Sequence, residues 1–423
     1  MDRAELIQVV EKQIRSRDVY LWGVRSNGFG WCRVLERMGL EPAGFLDSSE
    51  MVQGEKVLGH NVYPPSHALD RPIGDRPFII ITSGFYGDEI SDSCEAAGLI
   101  KHEDYVLFSD LQTFDYQVDV AGICNLFCIS CPRGNMEEQP SAGMMSIENY
   151  KQVLDKILQE DPFVGVVTLY NWGEPLLNKD LAKIIRYSNE RGVHCAVSSN
   201  LNVKKFEEVV KAKPTWFRVS MSGWEENYEI THTGGKWPLF LKNCYKLRDY
   251  RDLHHPEMFV EVFYHIYDNA SEDLPKVKQL CEELDFTLRF RHAALAPLDN
   301  VAAVIAGEEI TDAAQQTVEL QTLKVQKAME LAWDQRDRAC FYERYLWITW
   351  DLTVSQCMEY YKPDLKLVAD SYLDTPIEDL VQARETSAFC AECKSKAIHR
   401  CFIVYADENL IKIGASSAKA QAC

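Results

Sequence analysis

The sequence predicts an α/β protein: a partial barrel of six strand–helix units, preceded by a small α/β domain and followed by a small cysteine-rich hairpin–helix domain. Three observations predict this fold class. Apolar runs alternate six times with helical patterns between about 115 and 300. A strand, a glycine turn and a helix come earlier in the chain. Three cysteines lie within eight residues, directly after the first of the six runs.

The N-terminal part begins with a helical pattern over residues 3 to 16 and continues with an apolar run from Val19 to Gly23. A glycine turn at Gly28 and Gly30, a helix and a second run ending in Asp47 follow. This order is the Rossmann pattern, in which glycines let the backbone approach a phosphate and the acid reaches a ribose hydroxyl. It resembles the small Rossmann-like domain that precedes sugar-nucleotide acyltransferases and some carbohydrate-modifying enzymes, which implies a nucleotide-sugar ligand. The spacing is not GxGxxG, and in the alternative interpretation the glycines only close a tight turn.

The barrel is predicted from apolar runs at 117–123, 164–170, 194–198, 216–221, 258–266 and 286–291. Helical patterns between these runs make right-handed crossovers, so the strands are expected to be parallel with the helices outside. In such barrels the chemistry lies on the loops that follow the carboxyl ends of the strands. The sequence therefore directs attention to the residues after each run.

The loop after the first run carries Cys124, Cys128 and Cys131. Because the N-terminus lacks the apolar core of a signal peptide, thiols this close favour a metal centre over a disulfide framework. Three thiolates hold three corners of a four-iron cluster, and the missing fourth ligand leaves one iron open to something other than protein. A zinc site completed by a distant fourth ligand is the alternative.

The CxxxCxxC spacing, with the aromatic Phe127 directly before the second cysteine, resembles the radical S-adenosylmethionine (radical SAM) family. The resemblance implies a partial (β/α)6 barrel and a 4Fe-4S cluster whose open iron binds S-adenosylmethionine (SAM), with Phe127 among the SAM-binding residues. It also implies a reductant such as flavodoxin or ferredoxin, and a 5'-deoxyadenosyl radical that takes a hydrogen atom from a substrate. Gly173 and Glu174 match the family's Gly-Glu-Pro, which hydrogen-bonds the methionine amino group.

The same resemblance implies SAM-pocket roles for five more residues, namely Ser199, Asn200, Ser220, Ser222 and His232. The chain departs from the family pattern at three places. Leu201 replaces a glycine, so the local backbone is expected to differ; Ser222 replaces an acid; and His232 replaces an arginine. His265, Arg291 and His292 end the last two runs and are candidate proton acceptors or anion binders, and no catalytic base is assigned.

The C-terminal part begins with one long polar helical segment at 311–337. Cys340 and Cys357 then flank an alternating stretch that predicts a hairpin, and Cys390 and Cys393 form a CxxC after a helix. Four thiolates are enough for one fully protein-bound 4Fe-4S cluster. This order resembles the twitch or SPASM extension of radical SAM enzymes, which implies one auxiliary cluster. A structural zinc on the same thiolates is the alternative.

Composition narrows the function further. The formal net charge of -19 argues against general binding to nucleic acid or to an anionic membrane. No apolar run approaches the roughly 20 residues that span a bilayer, so a cytoplasmic location is expected. The predicted domains are 1–112, 113–305 and 306–410, with a disordered tail at 411–423.

Together these features predict a radical SAM enzyme of oxidoreductase or isomerase type that acts on a small molecule. The Rossmann-like unit favours a carbohydrate or nucleotide sugar that is oxidised, epimerised or deoxygenated, because peptide-modifying relatives often begin with a winged-helix module instead. A radical SAM peptide maturase is one alternative. A non-catalytic iron-sulfur protein that carries electrons or senses redox state is another.

Overall fold

The computed structural model describes residues 3–50, 52–84, 86–139, 142–361 and 368–406. The chain packs as two compact units. The first comprises residues 1–116, 151–168 and 184–196, and the second comprises residues 117–150, 169–183 and 197–423. The predicted tail at 411–423 lies outside the described residues.

The N-terminal elements of the first unit alternate between helices and strands. They are α1 Arg3–Ser16, β1 Val19–Trp22, α2 Ser26–Arg37, β2 Gly44–Leu46, β3 Lys56–Val57, β4 His60–Tyr63, α3 Ser66–Leu69, β5 Phe78–Ile81, α4 Gly87–Ala96, β6 Tyr105–Leu107 and α5 Phe108–Leu111. The strand order is β3-β4-β2-β1-β5-β6. All neighbours are parallel except β3 and β4. The central strands β1 and β5 are buried throughout, as expected for a parallel sheet covered on both faces.

The predicted glycine turn at Gly28 and Gly30 is wrong, because both residues lie inside α2, which begins at Ser26, and close packing explains each glycine. A Cβ on Gly28 would lie 2.2 Å from the carbonyl oxygen of Gly23, and a Cβ on Gly30 would lie 3.0 Å from the backbone of Gly165. The Asp47 carboxylate accepts hydrogen bonds from the backbone N–H groups of Val24, at 3.1 Å, and of residue 49, at 2.9 Å. Close packing therefore accounts for the two glycines, and local backbone hydrogen bonds account for Asp47. Nucleotide binding by this sheet stays a prediction.

Within the same unit, α2 packs on the segments around residues 162–165 and 192. Arg37 donates to the carbonyl oxygens of Gly192 and Val164, and Trp31 stacks on Phe163 with ring centroids 5.7 Å apart. Burial lowers the pKa of Arg37 to about 10. The backbone carbonyls of Gly192 and Val164 hydrogen-bond the Arg37 guanidinium, and so the contact is specific as well as apolar.

The barrel elements follow. They are β7 Asp115–Val118, α6 Pro132–Asn135, α7 Ile147–Glu160, β8 Val166–Thr168, α8 Leu181–Glu190, β9 His194–Ser199, α9 Glu207–Lys211, β10 Trp216–Met221, α10 Glu226–Thr231, α11 Trp237–His254, β11 Phe259–Ile266, α12 Leu274–Leu284 and β12 Thr287–His292. The six strands lie side by side in the order β12-β11-β10-β9-β8-β7. Registered pairs β8–β9, β10–β11 and β11–β12 are parallel. The predicted six-unit α/β architecture is confirmed.

The C-terminal elements are α13 Leu298–Ala306, α14 Asp312–Leu320, α15 Val325–Trp333, β13 Tyr345–Ile348, β14 Val354–Ser355, α16 Ile377–Glu385, α17 Ala388–Ser395 and α18 Ile398–Val404. The predicted single helical segment at 311–337 is wrong, because α14 and α15 are separate. The break occurs where Gln321 forms an isolated bridge with Tyr267, and its amide donates to the carbonyl of Ala293 at 3.1 Å. These contacts outside the helix compete with helical hydrogen bonds.

The predicted hairpin is present, and it extends the barrel sheet. Trp347 pairs with Ser355 and Ile348 with Val354 in an antiparallel ladder. The sheet continues as β7-β13-β14, with the Asp119 backbone N–H donating to the carbonyl of Ile348 at 2.8 Å. The C-terminal hairpin is therefore part of the same sheet as the barrel strands. Among the described residues, no helix has the length and apolarity needed to cross a bilayer.

Candidate active site

The cysteine loop after β7 is a tight turn whose shape depends on glycine. The Cys131 N–H donates to the carbonyl of Cys128 at 3.0 Å, and the Gly134 N–H donates to the carbonyl of Cys131 at 2.8 Å. A Cβ on Gly134 would lie 2.4 Å from the carbonyl oxygens of both Phe127 and Cys128. A side chain at Gly134 would therefore open the loop that carries the three thiols.

The three thiols are partly buried neighbours. Burial raises the pKa of Cys124 to about 11 and that of Cys131 to about 12. Burial also raises the pKa of Cys128 well above its usual value, and the charges of Cys131 and Cys124 raise it further. Metal-bound cysteine is a thiolate, so a group that binds here must supply positive charge. Iron in a cluster meets that requirement.

The Gly-Glu-Pro loop after β8 packs directly against the base of the cysteine loop. A Cβ on Gly173 would lie 1.5 Å from the carbonyl oxygen of Ala121, which only a backbone shift could relieve. The next N–H, that of Glu174, donates to the carbonyl of Ile123 at 2.8 Å. Glycine at position 173 is thus what allows the two loops to join by backbone contact.

The Glu174 side chain links this loop to the one after β9. Its carboxylate accepts hydrogen bonds from the N–H groups of Leu176, at 3.0 Å, and Asn200, at 2.8 Å. The residue is only 2% exposed, and burial raises the pKa of Glu174 to about 7. Hydrogen bonds from Asn200, Leu176 and Ser199 oppose that rise. The carboxylate therefore joins the second and third strand-end loops beside the thiols.

The predicted pocket residue Asn200 lies against the cysteine loop. Its amide Nδ2 is 3.7 Å from Cys124 Sγ and 3.1 Å from Asn125 Oδ1. Asn125 in turn donates to the carbonyl of Asn202 at 2.9 Å, and Asn202 donates to the Tyr228 hydroxyl at 2.6 Å. Sequence reasoning missed Asn125 and Asn202. Their positions, inside the cysteine motif and two residues after Asn200, were the available signal.

Leu201 adopts the backbone conformation for which glycine is suited. Its φ is +51°, in the left-handed region, which costs a non-glycine residue roughly 1–2 kcal/mol. The side chain is fully buried, and the Leu201 carbonyl accepts a hydrogen bond from Asn243 at 2.7 Å. Apolar burial offsets the strain. Whether the backbone at this glycine-to-leucine departure differs from that of the family stays a prediction.

His232, Ser220 and Ser222 are the predicted pocket residues on β10 and in the segment that follows it. The His232 ring stacks on Tyr228 with centroids 4.5 Å apart, and its Nδ1 is 3.0 Å from Thr231 Oγ1. Burial lowers the pKa of His232 to about 4, so it is neutral at physiological pH. Ser222 is buried, and its carbonyl accepts from the Thr231 hydroxyl; Ser220 Oγ is 3.4 Å from Ser198 Oγ. A neutral histidine cannot replace the charge of the family's arginine.

Phe127 is the exposed member of the predicted set. Its side chain is 60% exposed, whereas its backbone N–H donates to the carbonyl of Thr233 at 2.9 Å. The loop of residues 231–235 thus holds the cysteine loop from another side. This solvent-exposed apolar ring, next to the three thiols, is available for contact with a bound ligand.

The strands β10 to β12 carry a cluster of charges. Arg218 and Arg289 lie 3.0 Å and 3.8 Å from the fully buried carboxylate of Glu261, and the Arg218 guanidinium is 4.5 Å from the Phe263 ring. Arg291 on β12 pairs in register with His265 on β11, and its positive charge acts on that histidine. Two guanidinium groups around one carboxylate give this charge cluster a net positive charge, in a chain whose net charge is -19.

The three other candidate residues of β11 and β12 differ in character. Burial lowers the pKa of His265 well below its usual value, and Arg291, His232 and Arg218 lower it further. His292 Nδ1 is 2.7 Å from Thr322 Oγ1, which places this histidine in a packed core. Arg291 donates to the carbonyl of Phe402 at 3.3 Å.

The four C-terminal cysteines line a single cavity. They come from separate segments: Cys340 precedes the hairpin, Cys357 follows it, and Cys390 and Cys393 lie on α17. Across the part of the chain that the structure describes, no three His, Cys, Asp or Glu side chains converge as a single metal ion requires. A four-iron cluster binds each thiolate to a different iron, so the lining of one cavity by four thiols fits that group.

The comparisons with known proteins concern mainly the barrel. Residues 118–260 match the Radical SAM superfamily. An "AdoMet-dependent heme synthase" of Oleidesulfovibrio alaskensis is 31% identical over 83 residues, 19% of this chain and 20% of that protein. An "Fe-coproporphyrin III synthase" of Methanosarcina barkeri is 24% identical over 164 residues, 38% of this chain and 39% of that protein. The chain thus spans well under half of these relatives' lengths.

Two solved structures have lower similarity. Streptococcus suis SuiB bound to S-adenosylmethionine is 12% identical with a TM-score of 0.45, over 75% of this chain and 83% of that chain. BtrN in complex with AdoMet and 2-DOIA is 16% identical with a TM-score of 0.39, over 69% and 91% respectively.

The match over residues 118–260 covers the cysteine loop, Gly173, Glu174 and Asn200, the residues whose contacts join three strand-end loops. Residues 118–260 therefore resemble the domain of the Radical SAM superfamily, whose members use a 4Fe-4S cluster and SAM.

Proposed function

We propose that this protein is a radical SAM enzyme that reductively cleaves SAM and takes a hydrogen atom from a small-molecule substrate. One observation carries the proposal: the cysteine loop is joined by backbone to Gly173–Glu174, and the Glu174 carboxylate reaches Asn200, which lies against Cys124. A cluster bound by Cys124, Cys128 and Cys131 would supply the electron for SAM cleavage. The chain's own residues hold the three loops together and line the SAM side of the thiols.

We assign the SAM-binding set as Phe127, Gly173, Glu174, Ser199, Asn200, Ser220, Ser222 and His232. Asn125 and Asn202 join it because they connect Asn200 to the cysteine loop. A second cluster of the twitch or SPASM type, held by Cys340, Cys357, Cys390 and Cys393, is the proposed occupant of the C-terminal cavity. Four thiols around one cavity are the ligands that such a cluster requires, and they would also hold a structural zinc.

The proposed substrate is a nucleotide sugar or a related carbohydrate phosphate. The Rossmann-like strand order of the N-terminal sheet supports it. The arginines of β10 to β12 support it as well, because guanidinium groups bind phosphate oxygens in bidentate fashion. A cytoplasmic location and a flavodoxin- or ferredoxin-type reductant belong to the same proposal.

A tetrapyrrole with acidic side chains is the second candidate substrate. The relatives that match part of this chain are named as haem and Fe-coproporphyrin III synthases. Carboxylates also pair with Arg218, Arg289 and Arg291. The two candidates share the same acidic character and differ in the shape of the reacting group.

The test is anaerobic reconstitution of the full chain with iron and sulfide, followed by reduction in the presence of SAM. We expect about eight irons per chain and release of 5'-deoxyadenosine. Intact clusters without SAM cleavage would refute the enzymatic proposal and favour an electron carrier. Isothermal titration of the same protein with a panel of nucleotide sugars and with coproporphyrin III then separates the two substrate classes, and absence of nucleotide-sugar binding removes the first.

A further inference from the structure

Two buried side chains donate hydrogen bonds to sulfur atoms of the C-terminal cysteine cavity. Gln356 Nε2 is 3.3 Å from Cys390 Sγ, and the Tyr360 hydroxyl is 3.7 Å from Cys393 Sγ. Gln356 is 8% exposed and Tyr360 is 6% exposed, so water is largely kept from both contacts. Both donors therefore reach the two α17 cysteines from the segment that follows the hairpin.

Both donors are held in place by their surroundings. Arg384, itself 5% exposed, donates to the carbonyl of Gln356 at 2.9 Å and fixes that residue's backbone. The Tyr360 ring packs edge-on against Phe389 with centroids 4.6 Å apart. Donors that are already oriented need little reorganisation when the charge on the sulfurs changes.

Reduction of an iron-sulfur cluster adds an electron, and part of its charge resides on the sulfur atoms. N–H and O–H groups directed at those sulfurs stabilise the reduced state more than the oxidised one, and they raise the reduction potential. The cavity thus offers the added charge two hydrogen bonds, one at each α17 cysteine.

We propose that Gln356 and Tyr360 set the reduction potential of the cluster bound by Cys340, Cys357, Cys390 and Cys393. This assignment rests on the proposed auxiliary cluster. Gln356 and Tyr360 then act through the cysteine ligands to which they donate hydrogen bonds, and they need no contact with the substrate.

The test uses the full chain carrying Cys124→Ala, Cys128→Ala and Cys131→Ala, so that only the auxiliary cluster is reconstituted. Redox titration followed by electron paramagnetic resonance gives its midpoint potential. We expect a more negative potential with Gln356→Leu, a more negative potential with Tyr360→Phe, and a larger shift when the two are combined. Tyr361→Phe is the matched control, because the Tyr361 hydroxyl is 3.5 Å from Gln139 Oε1 and is not a donor to the α17 cysteines.

An unchanged potential in Gln356→Leu and Tyr360→Phe, with the iron content of the parent, would overturn the proposal. So would an equal shift in Tyr361→Phe. Tyr360→Phe removes only an oxygen atom, and so it keeps the test valid if Gln356→Leu does not fold. A parent protein that binds zinc or no iron overturns the auxiliary cluster itself, and iron analysis distinguishes that result from a failure of the tuning proposal.

Discussion

The two cysteine sites of this chain are assembled in opposite ways. The first has three thiols within eight residues, on one loop that neighbouring loops hold from outside. The second has four thiols from three separate segments, brought together around one cavity by a hairpin and α17. A site with three ligands leaves a position for a non-protein ligand, whereas a site with four is complete. Under the proposed function, this difference places the chemistry at the first site and gives the second a supporting role.

The largest effect is expected from removing each site in turn. Cys124→Ala, Cys128→Ala and Cys131→Ala together should abolish SAM cleavage and leave about four irons per chain. Replacing Cys340, Cys357, Cys390 and Cys393 with alanine should also leave about four irons and retain SAM cleavage. Iron analysis and chromatography of 5'-deoxyadenosine measure both. Loss of SAM cleavage in the second variant, with its remaining cluster intact, would show that the two sites are not separable.

Arg384→Ala should disrupt the second site selectively. Arg384 donates to the carbonyls of Gln356 and Tyr342, next to two of the four cysteines, and its loss leaves both buried acceptors without this donor. We expect a loss of about 2–5 kcal/mol in the free energy of unfolding, and loss of the auxiliary iron with SAM cleavage retained. Denaturant titration and iron analysis measure these effects. Arg248→Ala is the control, because that exposed side chain pairs with the adjacent Asp249 and should change stability by under about 1 kcal/mol.

Gly173→Ala should damage the first site. A Cβ there would lie 1.5 Å from the Ala121 carbonyl oxygen, so the backbone contact between the two loops must open. We expect a loss of about 3 kcal/mol in the free energy of unfolding and a fall in SAM affinity. Gly74→Ala is the matched control, since a Cβ there meets no atom within 4 Å. Equal stability of the two variants in urea would contradict the close contact.

The smallest effect concerns pH at the SAM side of the first site. The pKa of His232 is about 4 in the fold and about 6.5 when unfolded, so between these values the unfolded chain binds more protons. Stability therefore falls as pH falls through this window, by about 2 kcal/mol at pH 5 from this residue. His232→Phe should remove that share of the slope in urea titrations of the cluster-free chain between pH 7 and pH 5. If the unfolding free energy of His232→Phe depends on pH as it does in the parent, groups other than His232 cause the pH dependence.

Features that depend on neighbouring residues along the chain could be predicted from the sequence, and features that depend on distant residues could not. The six strand runs were readable because apolar periodicity is set by neighbours along the chain, and the run at 216–221 coincides with β10. The long polar segment was misread because Gln321 is taken out of the helix by Tyr267 and Ala293, which are distant in sequence. The positive φ of Leu201 could not be read from the residue type, because it is burial of the side chain in the tertiary structure that offsets the strain.

The sequence by itself determined the three-cysteine loop, the Gly-Glu-Pro loop and their order on successive strands, because motif spacing is a property of the chain. Only the tertiary structure decided that Gly173 touches Ala121, that Glu174 bonds the N–H of Asn200, and that Asn200 lies against Cys124. It also decided that Cys340, Cys357, Cys390 and Cys393 share one cavity. These contacts join segments far apart in sequence, and parallel pairing and side-chain packing bring them together with no local signal in the residues themselves.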